Sequence, residues 1–198
     1  MSLLYRGRYD YQTKEFTLEQ FNQFNELPEN KDMRFEFIDG YVYAMAAPTP
    51  NHSRVTQFIM SKLYPYFLGK RCEPFTDVDI YFKHNMKTDV LRPDIFVNCD
   101  TNRIKETHCE GSPEFIAEVI SPSSNKDDYH FKKNYYMNNG AKEYWIVDHL
   151  KRRVTVITTE ATTVYSFLDT VHVGLFEGLS IDFGELSQIL GIILPEVF

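Results

Sequence analysis

No apolar run in the chain approaches the ~20 residues that cross a bilayer as a helix, so insertion into a membrane is not expected. Cysteine is scarce. Cys72, Cys99 and Cys109 are odd in number and lack CxxC spacing, which argues against structural zinc and fits a reducing cytoplasm. Residues 1–8 are too few and too polar for a secretory signal. Positive charge is in deficit: the net charge of -7 argues against gripping nucleic acid by bulk electrostatics. Basic groups gather locally at Lys62, Lys70 and Arg71, at Lys83, His84 and Lys87, and at Lys151, Arg152 and Arg153, where they also read as solvated turns and helix ends. There is no GxxxxGK[ST] or GxGxxG phosphate cradle, no HExxH and no GxSxG elbow, and Ser121 is followed by proline instead of glycine. Internal repeats, low-complexity tracts and linkers are missing too, which leaves one domain over residues 16–198 behind a peripheral arm of residues 1–15.

The patterning that is present alternates between strand and helix. Thr17 and Gln20 form a capping-box signature before a short helix reaching about Leu27. Residues 34–45 read as a hairpin about Asp39-Gly40, with Glu36 on the face opposite Phe35 and Phe37, turned either to solvent or to a metal. After Pro48-Thr49-Pro50, a helix capped by Asn51 or Ser53 is predicted through about Leu68, with His52 at its start. Strands are expected over 75–82, 90–97, 114–120, 143–148, 153–157 and 164–168, and a helix over 126–138 that stops at Asn139-Gly140. The sum is an α/β or mixed α+β domain, with a central mixed β-sheet flanked by helices and a β-rich extension at each end.

Chemistry concentrates between Leu91 and Lys132. Asp94 opens the apolar run Ile95-Phe96-Val97, and Glu118 stands inside Phe115–Ile120. Carboxylates on such strands are costly to bury unless something cationic lies between them. A Mg²⁺ or Mn²⁺ ion and a lysine would meet that need and make a hydrolytic centre. A lysine two residues after the glutamate would share its strand face, but Ile120 stands there. Lys132 falls on one helical face with Asp128 and Tyr136; it reads either as the missing amine or as a solvated partner of Asp128.

Taken in order, several segments resemble the bacterial restriction-endonuclease-like proteins of the PD-(D/E)XK nuclease superfamily. They are Phe35–Gly40, Pro50-Asn51-His52, Arg92-Pro93-Asp94, Glu118–Ser123, the Asp128, Lys132 and Tyr136 set, Gly140 through Asp148, and Gly178–Asp182. The resemblance covers roughly residues 16–190. It implies a restriction-endonuclease-like core, a divalent ion on Asp94 and Glu118, and a lysine moved from strand to helix at Lys132. It implies an acidic position at Glu36 that could add a metal ligand. It also implies a DNA substrate cut endonucleolytically. A homodimer would suit the two strands of a duplex. The rival expectation is a catalytically silent nucleic-acid-binding or protein-interaction module on the same fold, which the acidic net charge favours.

Overall fold

The computed structural model describes residues 15–84, 87–121 and 126–191, without the side chains of 126–129. These residues form two compact units, each interrupted in sequence. The first takes residues up to Ala47, Val78–Arg92 and Arg103–Gly111; the second takes Pro48–Asp77, Pro93–Asn102 and Ser112 onward. Among the described residues no helix is long and apolar enough to cross a membrane.

The first unit contains helix α1 (Leu18–Asn25) and strands β1 (Phe35–Ile38), β2 (Tyr41–Ala44), β4 (Ile80–His84), β5 (Lys87–Leu91) and β7 (Cys109–Glu110). Their sheet runs β2-β1-β5-β4-β7. The capping box at Thr17 and Gln20 forms as expected. Asp39 and Gly40 take the positive φ values, 49° and 85°, that the hairpin turn demands. Phe21 of α1 stacks on Phe37 of β1 and seals a small aromatic core.

The second unit holds α2 (Pro50–Phe67), α3 (Lys126–Asn138) and α4 (Phe183–Ile189). Its strands are β3 (Glu73–Phe75), β6 (Ile95–Asn98), β8 (Phe115–Val119), β9 (Glu143–Asp148), β10 (Arg153–Thr158) and β11 (Thr162–Ser166), with a separate hairpin of β12 (Thr170–His172) and β13 (Ser180–Asp182). The six-stranded sheet runs β11-β10-β9-β8-β6-β3, with β8 and β9 parallel and its other pairs antiparallel. Central strands buried on both faces call for near-continuous apolar sequence, and β8, buried at every position, is apolar except at Glu118. The core gathers Val55, Ile59 and Leu63 of α2 against Ile95, Phe115, Ala117 and Trp145 of the sheet and Phe183 of α4.

Three sequence expectations change. The strand over 75–82 is two strands, because Asp77 turns the chain with φ 61° and sends β3 and β4 to different sheets. The strand over 90–97 is also two, since Arg92-Pro93-Asp94 separates β5 from β6 and proline cannot donate to a ladder. Thr49 caps α2, its hydroxyl accepting from the His52 amide at 3.2 Å, in place of Asn51 or Ser53; Pro50 then occupies the first helical turn, where its missing N–H costs nothing.

Cys72 and Cys99 form a disulfide beside the β3–β6 pair, and Cys109 is a buried free thiol. The cysteine argument for a reducing cytoplasm thereby loses its basis.

Glu143 begins β9 fully buried. Its carboxylate accepts from Trp145 Nε1 at 2.6 Å and from the Leu175 amide at 3.2 Å, pinning the loop before β13. Burial pushes its pKa up, and the donors from Trp145, Leu175 and Gly174 offset this only in part. A carboxyl whose folded pKa is raised binds more protons when native, so stability falls as pH climbs from 4.5 through the folded value. Glu143→Gln, which cannot ionise, should flatten that segment of a urea-denaturation pH series. An unchanged slope would exclude Glu143 as its source.

Candidate active site

The site lies in the second unit, where strand ladders run out. Residues paired between antiparallel β6 and β8 are Ile95 with Ala117, Phe96 with Ile116 and Val97 with Phe115. The next step of that register sets Asp94 opposite Glu118, so both acids project from neighbouring strands to one face. At this point β6 has not begun, and the Asp94 side chain replaces a backbone acceptor: the Val119 amide donates to its Oδ2 at 2.7 Å. On the other side β8 runs parallel to β9, and the Ile120 amide continues the pairing to the Val147 carbonyl at 2.9 Å. The C-terminal ends of two parallel strands, a common location for ligand sites in α/β sheets, therefore adjoin the start of β6.

Lys132 reaches this edge from α3. Its Nζ stands 3.4 Å from Glu118 Oε1, with the two side chains only 2% and 5% exposed. Its charge also helps to lower the Asp94 pKa. The alternative of a solvated lysine paired with Asp128 fails on burial, and Tyr136, one turn further on the same face, is buried as well. The Asp128 side chain lies outside the described residues, as do residues 122–125 of the connection that follows β8.

Asp94 feels opposing influences. Burial pushes its pKa up, but the hydrogen bond and charge of His52, the Val119 amide and the Lys132 ammonium together hold it below the ordinary carboxylate value. The acid is therefore ionised at neutral pH and can only accept hydrogen bonds. His52 Nε2, 3.1 Å from Oδ2, is accordingly the donor in that contact.

Glu36 belongs to the first unit. It is not the solvent-facing strand carboxylate of one reading: it is 3% exposed, and its Oε1 accepts from the Arg92 amide at 3.1 Å. Its assignment to the ion rests on the sequence resemblance.

Two buried groups escaped the sequence. Asp148 ends β9 and accepts from the Lys151 amide at 2.9 Å, with Arg153 Nε 3.7 Å away, so it shapes the turn into β10. His149 follows it, 8% exposed, with no partner for Nδ1 among the described residues. Burial lowers its pKa most, His52 lowers it further, and Asp148 and the Ile120 backbone oppose them. Only the parallel pairing of β8 with β9 brings His149 to this edge, and no local pattern in residues 147–150 announces it.

The basic clusters are mostly engaged. Lys83 meets Glu110 at 2.7 Å, Lys62 bonds Glu185, and Lys70 sits over the Tyr66 ring.

The two acids and the buried lysine gather at strand ends of a mixed sheet, in a fold of the restriction-endonuclease-like class. A solved structure described as "a putative nuclease belonging to DUF820", from Anabaena variabilis, has the same fold: TM-score 0.69 at 21% identity, covering 86% of this chain and 98% of that one. The family model Uma2, described as "Putative restriction endonuclease", matches residues 19–184, and the chain belongs to that family. Two uncharacterized proteins of Synechocystis sp. are similar. The protein slr1290 is 28% identical over 121 residues, 61% of this chain and 62% of its own length. The protein sll1609 is 28% identical over 145 residues, 72% and 80% of the respective lengths. The chain thus spans less than two thirds of the first relative.

Proposed function

We propose that the chain is a metal-dependent nuclease that hydrolyses DNA phosphodiester bonds endonucleolytically, with Asp94 and Glu118 as ion ligands and Lys132 as the charge beside the attacking water. The observation that carries this reading is the convergence of those three side chains, from the residue before β6, from β8 and from α3, at the ends of neighbouring strands.

The donor set fits a hard divalent ion. Asp94 and Glu118 offer carboxylate oxygens; among the described residues no group of three or more His, Cys, Asp or Glu side chains is placed to hold a metal ion, so waters would have to complete the shell. Mg²⁺ suits such a site because it keeps several waters and takes one or two carboxylates, with Mn²⁺ as a substitute. The two carboxylates attract a cation, and an ion held there would in turn attract a phosphate. When bound, such an ion supplies a Lewis acid and lowers the pKa of a coordinated water. Lys132, desolvated and fixed by Glu118, is pre-oriented to stabilise negative charge that grows on the phosphoryl oxygens.

The test is nicking of supercoiled plasmid by the purified chain with Mg²⁺ or Mn²⁺ and its suppression by a chelator. Metal-dependent nicking that is lost in Asp94→Asn supports the reading. No nicking, with no heat of Mn²⁺ binding in calorimetry, would leave the non-cleaving module on the same fold.

A further inference from the structure

The first turn of α2 does more than start a helix. Thr49 Oγ1 accepts from the His52 amide and so fixes the backbone of that turn, while the His52 ring extends to Asp94. Two donors, His52 Nε2 at 3.1 Å and the Val119 amide at 2.7 Å, fall on the same carboxylate oxygen, Oδ2. They arrive from different elements, α2 and β8. One hydrogen bond leaves a carboxylate free to rotate about its Cβ–Cγ bond; two donors from separate directions on one oxygen fix its plane. Among the described residues, Oδ1 is the oxygen left for another partner.

We propose that His52 is a positioning residue: with the Val119 amide it clamps Asp94 Oδ2, sets the plane of the carboxylate, and thereby dedicates Oδ1 to the divalent ion. This rests on the reading of Asp94 as a metal ligand. Hydrogen-bond partners of ligating carboxylates typically change metal affinity ten- to a hundredfold when removed. His52 acts through Asp94 and needs no contact with substrate.

Two measurements on the full chain separate the clamp from the nuclease reading. The first, without metal, follows the Val119 amide proton by NMR; its charge-assisted bond to Asp94 shifts it downfield. His52→Ala frees the carboxylate and should move that signal. His52→Gln, whose side-chain amide nitrogen can stand where Nε2 does, should hold it near the parent position. The second is Mn²⁺ affinity by calorimetry: a loss of about ten- to a hundredfold in His52→Ala, with most of it recovered in His52→Gln. Urea denaturation of both variants confirms that folded protein is compared.

A Val119 signal unmoved in His52→Ala, or an equal loss of Mn²⁺ affinity in His52→Ala and His52→Gln, overturns the clamp. A parent chain that binds no Mn²⁺ overturns the nuclease reading, and the Val119 signal alone then decides the clamp.

Discussion

Lys132→Met is expected to abolish metal-dependent nicking and also to cost about 3–5 kcal/mol of folding stability, the usual consequence of stranding one partner of a buried ion pair. The size follows from burial. Glu118 is 5% exposed and Lys132 2%, so neither charge can turn to water when its partner is gone. Methionine keeps the length of the lysine stem, so cavity formation contributes little and the loss reports the charge. The two effects separate in the double variant Glu118→Gln with Lys132→Met. Removing both charges should recover much of the stability while nicking stays absent, giving a coupling of the kind a double-mutant cycle isolates. Stability like the parent's in Lys132→Met alone would mean that the lysine is not held against Glu118. Full nicking activity in that variant would remove Lys132 from the chemistry.

Asp94→Asn carries the second large effect. Asparagine fills the same space and its oxygen can still accept from the Val119 amide, so the edge of the sheet should survive. What disappears is an anion. Mn²⁺ affinity should fall below detection, and nicking should drop by at least about 10³-fold, since an ion at such a site is worth several kcal/mol of transition-state stabilisation. Stability should change in a pH-dependent way. Asp94 has a depressed folded pKa, so its contribution is present above the unfolded value of 3.8 and is lost as pH falls through the folded one. The Asp94→Asn variant should therefore lack that acid-sensitive segment of the denaturation profile. Retention of Mn²⁺ binding would show that the ion sits elsewhere.

Much of this was legible in residue order. Asp39-Gly40 and Asn139-Gly140 announce their turns because few residues tolerate positive φ, and both glycines adopt it. Helix α3 spans the residues expected for it. The strands that fail are instructive. Residues 75–82 and 90–97 have the alternation and apolar content of continuous strands, yet each is cut where the chain passes from one unit to the other. The cue at Pro93 was visible; the φ of 61° at Asp77 was not, because an aspartate in an alternating run carries no local mark of a turn. Asp94 and Glu118 stood out because acids are rare in apolar runs. Lys132 was ambiguous on the opposite ground: α3 is polar overall, so its sequence hides a buried lysine. His149 was invisible, since its relevance depends wholly on which strand lies beside β9.

The arrival of the amine on α3 also bears on how such a site can drift. A strand ladder moves only in whole-residue steps, and each step turns a side chain to the opposite face. A helix packed beside that ladder can slide or rotate by a fraction of a turn while the ladder stays intact. With Ile120 in the strand and Lys132 on the helix, the reach of the ammonium can be retuned through the seating of α3, leaving the spacing of Asp94 and Glu118 untouched. Substitutions beneath α3, remote from both acids, can thus shift the ammonium while both carboxylates stay in place.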